Sequence, residues 1–262
     1  MDVTVCPVVF STGSIFVVMS HPNHGMFTDS IQLILVVIVC AFYGVSMGIF
    51  ALHFIYRYFV ATGSVYLKSF DGYGMIIWMM IPFSYGFVWG LISFFPLEAS
   101  KNISDAIRYK VLSYLDWDID EVVYLGPYFY QEQVDGSVKI DIPSFVSIIV
   151  LCFIILSSIS IMVYFGVKCY IQLNNLIVTE MLRSRKLIRL QTELFYALIT
   201  QTLIPLILMH FPVIFMFSAT LLNRGIGTMS GVISITVALF PALDPLPTMF
   251  IIKSYRCVII GG

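Results

Sequence analysis

Five stretches of the chain run for about 20 residues or more with almost no charged interruption: 31–59, 72–96, 144–170, 195–222 and 228–252. A helix rises about 1.5 Å per residue, so roughly 20 apolar residues cross the ~30 Å hydrocarbon core of a bilayer. The pattern predicts five transmembrane helices packed as an all-α bundle, in a single membrane domain covering 1–262. The polar stretches between them become connections: a loop at 97–142, a second at 171–194 and a short tail at 253–262. The opening segment "MDVTVCPVVFSTGSIFVVMS" is apolar but short, is interrupted by Pro7 and Gly13, and has no basic region before it. It does not fit a signal peptide. It is expected to form an interfacial loop, with a partial span as the alternative, at the start of an amino-terminal segment 1–30.

Composition agrees with a membrane solvent. The chain is 59% hydrophobic and 11% charged, against about 25% charged residues in ordinary globular domains. A net charge of -1 gives no basic field for nucleic acid, and no Cys/His spacing suits zinc. DNA and RNA are set aside as partners, and no cofactor or metal is expected. The five cysteines are scattered, which argues against a disulfide framework. An intramembrane enzyme would need a nucleophile beside a base, or acids and histidines at one depth. His53 and His210 stand apart from each other, and His21 and His24 lie in the opening segment. The chain is not expected to be an enzyme.

The basic residues set the orientation, because cytoplasmic loops accumulate Lys and Arg. Nine fall on one side: Arg57, Lys68, Lys168, Arg183, Arg185, Lys186, Arg189, Lys253 and Arg256. Five fall on the other: Lys101, Arg108, Lys110, Lys139 and Arg224. The first side is assigned to the cytoplasm, which puts the amino terminus outside and the carboxyl terminus inside. Loop 97–142 is then extracellular and holds the sequon Asn102-Ile103-Ser104, a glycosylation candidate.

Single residues raise further expectations. Asp244 lies in "FPALDPLPTMFIIKSYR", and a charge at mid-membrane depth costs at least about 2.5–3.5 kcal/mol, so it faces the bundle or water. It reads either as a polar hinge or as a structural hydrogen-bonded carboxyl, with Gln201 and His210 as candidate partners. Pro241, Pro245 and Pro247 remove backbone donors and should bend or unwind the last helix nearby; Pro205 and Pro212 should do the same to the preceding one. Arg57 ends the first long helix and suits either a protein contact or snorkelling to headgroups. The stretch "VTEMLRSRKLIRLQTE" is a basic amphipathic extension. Trp78, Trp89, Phe94 and Phe95 are assigned to an interfacial belt in preference to a pocket lining. Cys257, just past the last span, is a palmitoylation candidate.

Three motifs, "FPALDPLPTMFIIKSYR" at 240–256, "LQTELFYALITQTLIPLILMHFP" at 190–212 and "HFIYRY" at 53–58, together resemble the Str family of nematode seven-transmembrane chemoreceptors. The resemblance implies a rhodopsin-like bundle in which the five spans correspond to helices three to seven, with no counterpart of helices one and two. It implies a G-protein-coupled chemosensory, or olfactory, receptor for a small odorant, working in the plasma membrane with sensory cilia as its candidate site. Its partners would be a heterotrimeric G protein and the lipid bilayer. It makes Asp244, Pro241 and Pro245 a polar switch, analogous in role to the Asn-Pro motif of other such receptors. Arg57, Arg183, Arg185, Lys186, Tyr255 and Arg256 become G-protein-facing candidates, although Tyr56 stands where related receptors carry an acid beside the arginine. The alternatives are a truncated, non-signalling receptor remnant or a transport component using Asp244. A second copy of the Asp-Pro segment, which an inverted-repeat transporter would carry, is absent from the sequence.

Overall fold

The computed structural model describes residues 7–20, 27–133, 135–179, 185–227, 229–243 and 245–246. Four helices in it are long and apolar enough to cross a membrane. They are α1 (Asp29–Thr62), α2 (Tyr73–Phe94), α4 (Ile142–Thr179) and a composite of α5 (Arg185–Pro205), a π-helical turn (Leu206–His210) and α6 (Phe211–Leu221). The fifth apolar run is represented by α7 (Ser230–Leu243), a helix of 14 described residues. It passes through position 241 without a break.

Small residues set the closest helix pair. Gly44 and Gly48 of α1 meet Gly86 and Pro82 of α2, Gly90 of α2 packs on Ala41, and a Cβ built on Gly48 would lie 2.5 Å from the Pro82 Cα. Lipid tails are as apolar as leucine, so association in a bilayer depends on such close packing and on interhelical hydrogen bonds. The α1–α4 contact shows the second device: Ser158 Oγ, fully buried, donates to the Met47 carbonyl at 2.8 Å.

One end of the bundle is not helical membrane protein at all. Residues 7–20 form a β-hairpin, β1 (Val8–Thr12) and β2 (Ile15–Met19), and β3 (Tyr124–Leu125) extends it into a three-stranded antiparallel sheet. Gly13 turns the hairpin with φ 53°, a conformation in which glycine carries no Cβ penalty. α3 (Lys101–Leu115) packs over the sheet through Ile103, Ile107 and Val111, spaced by one helical turn, and Ser100 caps it by accepting from the Ile103 N–H. A second hairpin, β4 (Tyr130–Glu132) with β5 (Val138–Ile140), leads into α4, whose first turn is capped by Asp141 accepting from the Ser144 N–H and hydroxyl.

These elements correct the all-α expectation. Residues 7–20 form a hairpin, not a loop, and the described residues of 97–142 form a folded cap. The physical reason is the sheet's two-sided burial. Phe10, Ile15, Val17 and Met19 face α3, while Val9, Phe16 and Val18 face the membrane helices. A strand covered on both faces shows no polar alternation and so reads as a featureless apolar run.

Candidate functional site

The cap roofs a cavity. Because side chains alternate along a strand, the hairpin's lower face (Val9, Phe16, Val18) closes the space between α1, α6 and α7. Hydrogen bonds fix this roof to the bundle. The Val9 N–H donates to Ser234 Oγ of α7 at 2.8 Å, the Tyr130 hydroxyl to the Leu221 carbonyl of α6 at 3.1 Å, and the Gly227 N–H to the Ser11 carbonyl at 3.0 Å.

Two apolar chambers lie underneath. The outer one, about 460 Å³, opens between α1 and α7 and is lined by Val39, Phe42, Tyr43, Met209, Ser234 and Ala238, among others. The inner one, about 130 Å³, is lined by Phe16, Cys40, Trp89, Met216 and Phe217, among others. Pro7, Val39, Tyr43, Ser234 and Val237 belong to both. A mostly apolar, largely preformed hollow with few polar groups suits a small hydrophobic molecule.

Tyr43 stands between the chambers, its ring against Trp89 (centroids 4.9 Å apart) on one side and His210 (6.0 Å) on the other. Its hydroxyl is buried and has no hydrogen-bond partner among the described residues, and the same holds for His210 Nε2. His210 is 1% exposed and closes the π-helical turn between Pro205 and Pro212. Its Nδ1 lies 3.0 Å from the Pro205 carbonyl. The proline bend expected in this helix takes the form of that turn, and π turns of this kind cluster at functional sites.

The opposite end of the bundle holds Arg57. It is half-buried near the end of α1, which stops at Gly63 (φ 63°). Beyond it the 3-10 segment Val65–Phe70 carries an aromatic cluster: Phe70 and Trp78 stack at 4.7 Å, Phe59 packs edge-on to both, and the Trp78 indole donates to Ser69 Oγ at 2.9 Å. Trp78 thus sits at the Arg57 end and not with Trp89.

Several sequence expectations can now be placed. Trp89, 5% exposed, is core and cavity wall and not interfacial belt, whereas Phe94 and Phe95 are exposed at the end of α2. Asn102 is exposed on the first turn of α3, its amide 3.5 Å from Gln131 Oε1. Pro245 is exposed just beyond α7. Asp244, Pro247, Arg183, Tyr255, Arg256 and Cys257 lie outside the described residues, as do the side chains of Arg185, Lys186 and Pro241. Tyr43 was not singled out by sequence reasoning, since a tyrosine in an apolar run carries no local signal.

The cap has its own electrostatics. Arg108 grips Asp120 with two hydrogen bonds of 2.6 and 2.9 Å, and these hold the Asp120 carboxyl below the usual carboxylate range. Burial pushes the Tyr124 phenol up; its hydroxyl donates to the Ser100 carbonyl at 3.1 Å and lies 2.6 Å from Ser104 Oγ.

Comparison with known proteins gives this architecture a lineage. The model of the family described as serpentine type 7TM GPCR chemoreceptor Str matches residues 1–260. The chain is 35% identical over 256 residues to the Caenorhabditis elegans protein named G-protein coupled receptor str-217, an alignment covering 98% of this chain and 73% of that one. It is 25% identical over 252 residues to G-protein coupled receptor str-33 (95% and 72%) and 26% identical over 226 residues to serpentine receptor class r-10 (85% and 64%), both from the same organism. These relatives are named as receptors. No solved structure matches. A mostly helical membrane bundle with a match along nearly its whole length places the chain in the Str family of serpentine chemoreceptors, to which it belongs.

Proposed function

We propose that this chain is a chemosensory receptor whose ligand is a small apolar odorant held in the chambers beneath the cap, and whose opposite end is read by a heterotrimeric G protein. The observation that carries the proposal is the pair of joined apolar chambers, about 460 and 130 Å³, between α1, the π turn and α7. A ligand there touches α1 and α7 together, and α1 runs unbroken to Arg57. Differential contact with two packings of these helices is what lets a ligand shift a population.

In this reading the cap end is extracellular and the Arg57 end cytoplasmic, as the nine-to-five division of basic residues implies. The protein works in the plasma membrane, with sensory cilia as the site of action. Asp244, with Pro241 and Pro245, forms the polar hinge of the last helix. Arg57, Arg183, Arg185, Lys186, Tyr255 and Arg256 form the G-protein-facing surface, and Asn102 and Cys257 are sites of glycosylation and palmitoylation. The test is expression of this chain in a cell with a G-protein reporter and an odorant panel. The expected result is a saturable ligand-dependent signal that Asp244→Leu abolishes. Display at the surface with silence across the panel would overturn the reading.

A further inference from the structure

The geometry points to a second ligand site, at the end of the bundle away from the cap. It takes a phospholipid with a zwitterionic ethanolamine headgroup, the phosphate on Lys68, the ammonium on Asp71 and the acyl body along α1 and α2. The inference goes beyond the receptor reading and does not depend on it.

The site is a hollow of about 890 Å³ between α1, the 3-10 segment Val65–Phe70 and α2, larger than either chamber beneath the cap. Its lining reaches from Ile49 to Gly63 along α1, a rise of roughly 20 Å, so it begins inside an apolar span and ends at the connection between two spans. The wall changes character along that length. Ile49, Leu52 and Met79 line the part within the spans, and Lys68 and Asp71 stand at the rim. A guest that is apolar at membrane depth and charged at the membrane surface is a lipid.

The headgroup follows from the charges. Lys68 and Asp71 are exposed, and neither side chain has an ion pair or hydrogen bond among the described residues. One cation and one anion on the same rim, not spent on each other, match a head that carries both signs. Surfaces that select anionic lipids gather about four to eight basic residues, and an added negative charge would here face Asp71. A primary ammonium donates charge-assisted hydrogen bonds to a carboxylate, which the quaternary ammonium of choline cannot do. Below the rim, His53 and Tyr56 lie one turn apart on α1, line the same hollow and have no hydrogen-bond partner among the described residues. They supply donors for the ester carbonyls between head and chains. The Tyr56 ring is held edge-on to Phe70, with centroids 5.2 Å apart. Ser64 is already engaged, accepting from the Tyr66 N–H, which leaves Lys68 and Asp71 for the head.

The test is native mass spectrometry of the purified full chain in detergent with an equimolar mixture of palmitoyl-oleoyl phosphatidylethanolamine, phosphatidylcholine and phosphatidylglycerol. The folded fraction of each variant is isolated by size exclusion, and the bound fraction of each lipid is read. The ethanolamine lipid is expected to be retained roughly fivefold over each of the others. Lys68→Met should lower retention of all three, and Asp71→Asn should erase the preference for the ethanolamine lipid over the glycerol lipid. Lys168→Met, which removes a cation of α4 outside the hollow, should change neither. Soluble glycerophosphoethanolamine, the same head without chains, should fail to displace the lipid at equal concentration. Equal retention of the three lipids, a preference that survives Asp71→Asn, or a Lys168→Met effect as large as that of Lys68→Met would overturn the assignment. Displacement by the soluble head would overturn it as well, by showing that the site needs no acyl chain.

Discussion

Helix α1 has two faces that solve opposite problems. Toward α2 it presents Gly44 and Gly48, and the backbones approach so closely that a Cβ on Gly48 would strike Pro82. Toward α7 and the π turn it presents Val39, Tyr43 and Ser46, and leaves about 460 Å³ unfilled. Close packing transmits strain and resists change, while an apolar void forfeits contacts that a guest can restore. The first face fixes where α1 stands. The second leaves it something to respond to.

The sharpest way to break this contrast is to overfill the tight face. Gly48→Leu forces a side chain into Pro82 and should destabilise the bundle by about 3 kcal/mol, read as lost surface display and a lowered Tm in detergent. The same insertion on the loose face should behave differently. Ala238→Phe, placed in the outer chamber, is expected to keep display and thermal stability near those of the unmodified chain while lowering ligand response at least tenfold. If both variants fail to fold, the two faces are not distinct.

Smaller effects test the roof. Tyr130→Phe removes the hydroxyl that donates to Leu221 and should cost about 1 kcal/mol, seen as faster amide exchange in the hairpin with α2 protection unchanged. The smallest concerns the Arg108–Asp120 pair on the cap surface. Its carboxyl is held low by the guanidinium, so its contribution is present above the ordinary aspartate range and is lost as pH falls through the depressed folded value. Asp120→Asn should remove a slight acid-side loss of cap stability, measured by hydrogen exchange near pH 4 and below, and should leave neutral-pH behaviour nearly unchanged because exposed pairs contribute little.

How much of this the sequence discloses depends on how local each cause is. The long helices are legible because a membrane demands an uninterrupted apolar run: α1 and α2 begin and end close to the runs that predict them, whereas α4 continues to Thr179 and α5 starts at Arg185, so that much of the expected connection 171–194 is helical. The cap is hidden for the same reason: Phe10, Ile15, Phe16 and Val17 are covered on both faces, so their strands imitate a fragment of a span. α3 left a clearer trace, a Ser100 cap followed by Ile103, Ile107 and Val111 at one-turn spacing, which the polar character of 97–142 obscured. Trp89 was misplaced because tryptophan serves both interface and core. At the candidate site His210 stood out as a polar residue in an apolar run, but Tyr43 lies 167 positions away in the chain (210 minus 43). Only the fold brings them into contact.

The account stands or falls on whether the space beside Trp89 admits a guest. In a Trp78→Phe, Trp117→Phe background, Trp89 is the sole tryptophan and lines the inner chamber, so a brominated octane bound there quenches it through the heavy atom. The prediction is saturable quenching of Trp89 that octanol competes away and that Ala238→Phe strongly reduces. Quenching that never saturates, as from bilayer partitioning alone, and that is the same in Ala238→Phe would contradict it.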